Sequence, residues 1–416
     1  MPLERDIQNV LPSFRTTRRD MWNWRAVSEY AFEAENAVRL LADIAEDYGA
    51  EGVIPAVQKA IASTFRVLMR ADDSGGAIQM VIRDLLVLHA ELCAEAPPEP
   101  AVLTKWIQTQ QFGELGEYFT IDVADYEEAL GEKGLETFVR HLDKRRAALT
   151  LPFDGRPDLE FEWDDERHAR RAVLDNLQRL AVLGEDEEAI VRTYGGDLPK
   201  AYLRAKAAKA LIEAGFLERA ASVAKEGMAL DGASHQQQTC GELWVETLGR
   251  IDPAGVADAA GEVFRRWPTG GNASAWIDAA GDGVREEAVT LMRKNPRTLV
   301  AFLLDAGDVQ RAWNEALDSI GGAGGGALPQ QWDELVKRYA KVDAVAVLPV
   351  MAQLIDDLLV EANTAVYADA VKRMKELRKA AALAGVPEMA DAYLAEWRER
   401  FKRRTTLIKR MDAAGV

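Results

Sequence analysis

The sequence predicts an all-α protein, in which an N-terminal helical domain is followed by a degenerate, TPR-like (tetratricopeptide-like) α-solenoid. Three observations lead to this prediction. Apolar residues recur at the three- and four-residue spacing of helices along most of the 416-residue chain. Alternating β-branched runs bounded by turns are nearly absent. A glycine–alanine pattern that is typical of helical hairpins recurs in the C-terminal half.

The N-terminal helices are predicted from three apolar stripes. Residues 26–48 and 55–70 each carry one stripe. The third follows a turn at 72–76 and consists of Ile78, Ile82, Leu85, His89 and Leu92. Pro97, Pro98 and Pro100 end that helix, because proline lacks the N–H that would continue it. We therefore predict an N-terminal helical domain over residues 1–150.

A change of pattern places a linker at residues 151–167. This stretch contains Pro152, Gly155 and Pro157 and has little helical periodicity. The helical-repeat domain is then expected over residues 168–416. The glycine run 321–326 interrupts it, and we interpret the run as a loop between helices. A phosphate-binding loop would need a preceding strand and a following lysine.

The recurring unit is an apolar residue, a glycine four residues later, an alanine five residues after that, and a further residue four positions on. Glycine is expected to end the first helix in the left-handed conformation, and alanine lets the second helix approach closely. The irregular distance between copies differs from the fixed period of about 34 residues in regular TPR arrays. The five copies are Leu180/Gly184/Ala189/Thr193, Leu211/Gly215/Ala220/Ala224, Ala279/Gly283/Ala288/Met292, Leu303/Gly307/Ala312/Ala316 and Ala381/Gly385/Ala390/Leu394.

Composition and charge limit the function. The hydrophobic fraction of 48 % and charged fraction of 29 % are those of a folded globular chain. The apolar runs are too short to cross a membrane, and Met1 to Val10 lacks the apolar core of a secretory signal. Cys93 and Cys240 cannot build a disulfide framework, so we expect reduced thiols and a cytoplasmic protein. The net charge of −17 disfavours extensive binding to nucleic-acid phosphates.

Three groups of segments resemble an uncharacterised bacterial helical-repeat family. They are Arg18–Arg25 with Asp72–Gly76 and Leu88-His89; Leu130–Leu135; and Val347–Pro349, Ala362-Asn363, Tyr367–Ala370, Tyr393 and Lys402–Arg404. The family is similar to the region that follows the zinc module of bacterial SWIM zinc-finger proteins. That module needs a Cys-x-Cys pair and a Cys-x-His pair, which two isolated cysteines cannot supply. The resemblance implies a helical fold and no established activity.

A metal or catalytic site is one hypothesis for the N-terminal domain. His89 and Cys93 are four residues apart on one predicted helix, a spacing that suits two ligands of one metal, and Asp72 and Asp73 precede that helix. The alternative is structural: His89 is a core residue, and the aspartates cap the helix. The other histidines, His141, His168 and His235, have no partner at ligand or triad spacing. Nucleophile-elbow, Walker and dinucleotide motifs are also absent, so the sequence predicts no catalytic residue and no cofactor.

Partner-binding candidates lie near both ends of the chain. Trp22 and Trp24 stand beside arginines, whereas most other tryptophans lie at helical spacing and are expected to fill gaps between helices. A single basic amphipathic helix is expected at the C-terminal end, with Leu394, Trp397, Phe401, Ile408 and Met411 on its apolar face. Its basic candidates are Arg398, Lys402, Arg403 and Arg404. The helix either binds a partner or caps the solenoid.

The leading hypothesis is therefore a non-enzymatic protein–protein adaptor or scaffold that uses a helical-repeat groove. The alternative is nucleic-acid association through the basic C-terminal helix. A second alternative is an enzyme or metal site around Asp72, Asp73 and His89. The sequence leaves the partner, the oligomeric state and the groove face open.

Overall fold

The computed structural model describes residues 2–150, 153–157, 166–230, 232–318, 329–360 and 362–416. These residues form 22 α-helices and five short 3-10 turns, with no strand among them. The chain divides into two compact units, Met1–Ile251 and Asp252–Val416. The all-α prediction is confirmed.

Twelve helices build the first unit, and the first predicted stripes form its long helices. Helix α4 packs against α2 and α3, and α1 packs against α2; their apolar stripes form one core with the residues around Tyr126 and Phe138. The helices are α1 (Pro2–Val10), α2 (Trp24–Tyr48), α3 (Ile54–Leu68), α4 (Ala77–Glu95), α5 (Pro100–Gln111), α6 (Glu114–Tyr118), α7 (Glu127–Ala147), α8 (Arg167–Leu183), α9 (Glu187–Tyr194), α10 (Ala201–Glu213), α11 (Leu217–Ala229) and α12 (Ser234–Ile251).

Ten helices build the second unit. They are α13 (Val256–Arg266), α14 (Gly270–Ala280), α15 (Arg285–Met292), α16 (Pro296–Asp305), α17 (Val309–Asp318), α18 (Pro329–Tyr339), α19 (Val347–Leu358), α20 (Tyr367–Leu383), α21 (Pro387–Arg400) and α22 (Thr405–Ala414). From α16 to α21 each helix packs against the next, and several also touch the next but one. In the first unit α8 to α12 follow the same rule. Contacts restricted to near neighbours along the chain define a helical-repeat architecture, as predicted.

The predicted hairpin turns are confirmed at three of the five glycines. Gly215, Gly307 and Gly385 have φ values of +85°, +76° and +77°. After each, an N–H bonds back to a carbonyl five residues earlier, which is the Schellman closure of a helix end. The prediction is wrong at the other two turns. Gly184 keeps a negative φ while Glu185 has a φ of +48°, and in the third copy Gly281, not Gly283, has a positive φ, of +82°.

The alanines of the unit behave as expected in four of the five copies. Ala220, Ala288, Ala312 and Ala390 are almost completely buried. A methyl side chain at these positions lets the second helix of each hairpin lie close to its neighbours.

The predicted boundaries stay predictions. The linker 151–167 falls inside the first unit, and residues 151–152 and 158–165 lie outside the described part of the chain. The glycine run 321–326 also lies outside it. Within the described ranges, every helix is too short or too polar to cross a bilayer.

Candidate partner-binding site

A groove of about 360 Å³ lies over α19, between α18 and α20. We call it the α19 groove. Its apolar floor comes from Met351 and Leu354 on α19, with Val336 of α18 beside them. The sequence of α19 explains this exposure. Leu348, Ala352 and Ile355 form its buried stripe, and a second apolar stripe one position away is left only partly covered.

Charged side chains of both signs form the rim of the α19 groove. Arg373 of α20 lies centrally, 2.6 Å from Asp333 of α18 and 3.2 Å from Asp369 of α20, so it ties α18 to α20. Its hydrogen bond with Asp333 is the main cause that raises the pKa of Arg373 above the usual range, so the guanidinium stays charged. Lys337 and Lys372 are exposed on the rim. An apolar floor inside a charged rim is the composition of a protein-binding surface.

The structure exposes both tryptophans that the sequence marked near the N-terminus. Trp22 is 72 % exposed and Trp24 is 78 % exposed. In contrast, Trp244, Trp267, Trp276, Trp313, Trp332 and Trp397 are buried, as expected for tryptophans that fill gaps between helices.

The prediction of a single basic C-terminal helix is wrong. The structure divides this segment into two helices, α21 and α22, separated by residues 401–404. Arg404 lies at the break with a non-helical backbone (φ −89°, ψ 72°), and its guanidinium donates to the carbonyl of Leu359 at 2.6 Å and lies over the ring of Phe401. The apolar residues Leu394, Trp397 and Met411 are buried, and α22 packs against α20.

Several basic candidates at this end are engaged within the chain. Arg398 lies 2.7 Å from Asp412 and also bonds the carbonyl of Val416, and Lys402 pairs with Glu399. Arg403 is exposed. Arg400, a further basic residue of α21, is ion-paired with Asp356 and Glu396. These contacts fit the capping interpretation, because they join α21 to α19 and to the end of the chain.

His89 lies in the core of the first unit, beneath the surface, with Cys93 as its neighbour. Gln58 donates its amide N–H to Nε2 of His89 at 3.0 Å, and Nδ1 lies 3.1 Å from the hydroxyl of Tyr126. The ring of Trp106 stacks on the imidazole with centroids 3.9 Å apart. Burial lowers the pKa of His89 to about 4, so the imidazole is neutral at pH 7.

The structure does not place Asp72 and Asp73, the aspartates of the metal hypothesis, beside His89. The Asp73 carboxylate accepts the backbone N–H groups of Ile78 and Gln79, each at 3.0 Å, and thereby caps α4. Asp72 is exposed. His89 lies about 18 Å further along the helix than its first residue, Ala77, at the standard rise per residue. Across the described ranges, no three His, Cys, Asp or Glu residues come together in a way that could hold a metal ion.

A polar cavity that the sequence did not reveal lies between the loop after α6 and helix α8. Its volume is about 60 Å³. Gln111 and Asn176 are buried there and exchange two amide hydrogen bonds, at 3.0 and 3.1 Å. Arg179 joins Asp122 at 2.8 Å, and burial raises the pKa of Asp175. The amide pair is 65 residues apart, and no spacing pattern signals such a distant contact.

Comparisons with known proteins identify no family. No family model matches the chain, and no curated protein matches it. Among solved structures, a "circular tandem repeat protein with novel repeat topology and enhanced subunit contact surfaces" aligns over 98 % of this chain and 98 % of its own length. The sequence identity is 14 % and the TM-score is 0.21, a value too low to establish a shared fold.

Proposed function

We propose that this protein is a non-enzymatic adaptor that binds a segment of another protein in the α19 groove. The observation that carries the proposal is the second apolar stripe of α19, left partly covered between two charged helices. Apolar side chains of a partner helix or extended segment would cover Met351 and Leu354. The charged groups of both signs on α18 and α20 would fix its direction.

The helical-repeat architecture supports the same function. Stacked helices present extended surfaces that need no rearrangement of the core when a partner binds. The partner is then held by preformed groups at low entropic cost. Arg373 contributes to this rigidity, since it joins α18 to α20 across the groove.

The proposal is tested by affinity co-purification of the tagged chain from its native host, with and without nuclease, followed by quantitative mass spectrometry. Met351→Glu/Leu354→Glu places charge on the groove floor, and we expect it to abolish recovery of a stoichiometric partner. Lys337→Glu/Lys372→Glu changes only exposed rim residues and is expected to reduce recovery without affecting the fold. Leu383→Glu is the matched control, because Leu383 is 80 % exposed on α20 and does not line the groove.

Two results would contradict the proposal. Equal recovery of the partner by the wild type and both groove variants would show that the binding surface lies outside the α19 groove. Partners that disappear with nuclease would indicate association through nucleic acid, the function that the basic C-terminal residues first suggested.

A further inference from the structure

The most exposed aromatic surface of the first unit surrounds the start of α2. We define the tryptophan patch as Trp22, Trp24 and Phe32. Phe32 is 66 % exposed and lies about 12 Å further along α2 than Trp24, with exposed Ser28 between them, so both rings lie on the exposed side of α2. Large aromatic side chains left in water in this way are unfavourable unless a partner covers them.

The segment that carries the patch is held firmly by its backbone. The N–H of Asp72 donates to the carbonyl of Met21 at 2.9 Å, and the side chain of Met21, which directly precedes Trp22, is buried. Asn23 caps α2 by accepting the N–H of Arg25 at 2.9 Å. Arg70 donates to the carbonyl of Arg18 at 3.0 Å. The indoles are therefore presented by a fixed backbone, which lowers the entropic cost of binding to them.

The charge beside the patch is opposite to that of the whole chain. Residues 15–25 contain four arginines and one aspartate, a net charge of +3, whereas the chain carries −17. Arg18 and Arg25 are both paired with Glu29, at 2.8 and 3.1 Å. Arg15 and Arg19 are exposed and form no ion pair with any residue that the structure describes. Two arginines are thus left to meet external carboxylates.

We infer that the tryptophan patch docks an acidic, amphipathic segment of a partner protein, with apolar side chains on the indoles and carboxylates against Arg15 and Arg19. Tryptophan and arginine are the residue types that dominate binding energy at protein interfaces. A short acidic segment fits better than nucleic acid or an anionic bilayer. Those surfaces need many cationic contacts, whereas the patch offers two arginines that form no ion pair with a described residue. This surface is separate from the α19 groove and does not depend on it.

The test uses ¹⁹F NMR of the full-length chain labelled with 5-fluorotryptophan. Trp22→Phe and Trp24→Phe assign the two signals among the ten tryptophans. The probe is a synthetic amphipathic helical peptide of Glu, Leu and Ala. We expect it to shift the Trp22 and Trp24 signals and leave that of the buried Trp397 in place. Arg15→Glu/Arg19→Glu should raise the dissociation constant about tenfold or more, and added salt should do the same.

Three further probes separate this inference from its alternatives. They are the same peptide with Lys in place of Glu, oligothymidine, and phosphatidylserine vesicles. Patch signals that do not move with the acidic peptide would overturn the inference. So would signals that move with the oligonucleotide or the vesicles and not with the acidic peptide. Leu383→Ala, which removes an exposed apolar side chain in the second unit, and Leu354→Glu in the α19 groove should leave the peptide titration unchanged.

Discussion

At the scale of single residues, the imidazole of His89 couples the stability of the first unit to pH. It is fully buried among Gln58, Tyr126 and Trp106, and burial lowers its pKa from 6.5 to about 4. In the unfolded chain the histidine takes up a proton near pH 6.5, but in the folded chain it resists protonation until about pH 4. Its contribution is therefore complete above pH 6.5 and is lost as the pH falls towards 4.

We predict that the wild type loses about 2 kcal/mol more unfolding free energy than His89→Gln when the pH falls from 7.5 to 5. Urea denaturation at the two pH values measures this difference. His235→Gln is the matched control, because His235 is exposed and its removal should leave the wild-type pH response unchanged. Equal losses in the wild type and His89→Gln would show that His89 is not the group responsible.

Both thiols should be unreactive in the folded protein. Cys93 and Cys240 are completely buried, and burial raises the pKa of Cys93 to about 12 and that of Cys240 to about 11. Because the thiolate is the reactive form, a colorimetric thiol reagent at pH 8 should detect neither cysteine in the native chain and both in urea. Fast reaction of a native thiol would contradict the packing described for that residue.

The environment of His89 also shows which of its contacts could be predicted from the sequence. The four-residue spacing correctly placed Cys93 beside His89, with Sγ 3.8 Å from Nε2. The other partners, Gln58 and Tyr126, lie 31 and 37 residues away. No local pattern points to them, since their contact depends on how α3, α4 and the turn before α7 pack. The exposure of Trp22 and Trp24 was predictable in part, because they stand among arginines outside any apolar stripe.

At the scale of helices, the cap of α4 distinguishes the two neighbouring aspartates. Asp73→Ala removes the carboxylate that accepts two backbone N–H groups, so we predict a loss of about 1–2 kcal/mol. Asp72→Ala is the matched control, because the exposed Asp72 accepts one long hydrogen bond, from the N–H of Ser74 at 3.3 Å, and its loss should stay below about 0.5 kcal/mol. Urea denaturation measures both. Equal losses, or wild-type stability that falls on chelation, would favour the metal hypothesis over the cap.

The apolar periodicity predicted which segments are helical, but it predicted less well where the helices end. The stripes at 26–48, 55–70 and 78–92 correspond to α2, α3 and α4. The break between α21 and α22 was missed, and the hydrogen bond of Arg404 there goes to a carbonyl 45 residues earlier, which no local pattern signals. A regular signal went unnoticed: Arg204–Glu226, Arg265–Glu287 and Arg293–Glu315 are ion pairs that all span 22 residues. In each pair, an arginine in or at the end of one helix contacts a glutamate of a later helix of the array, at the same separation in sequence.

At the scale of the whole molecule, the cores are local. The core cluster of α1 to α7 is built from residues 10–138, and that of the C-terminal helices from residues 348–416. Periodicity predicts such short-range packing, because each helix needs only its neighbours to bury its apolar face. The division near residue 251 carries no composition change comparable to the proline- and glycine-containing stretch at 151–163, so no local pattern in the sequence points to it.

Local cores imply that damage to one unit stays within it. Ile82→Ala in the first unit and Met374→Ala in the second each remove a completely buried side chain, at an expected cost of about 2–5 kcal/mol. We predict that Ile82→Ala accelerates amide hydrogen exchange among the helices of 2–251 and leaves those of 252–416 unchanged, and that Met374→Ala does the reverse. Exchange measured by mass spectrometry on peptides from both units tests this, with the exposed-site variant Leu383→Ala as the control. If either core variant accelerated exchange equally along the whole chain, the two units would unfold as one cooperative body, and the repeat-like independence inferred from their contacts would be wrong.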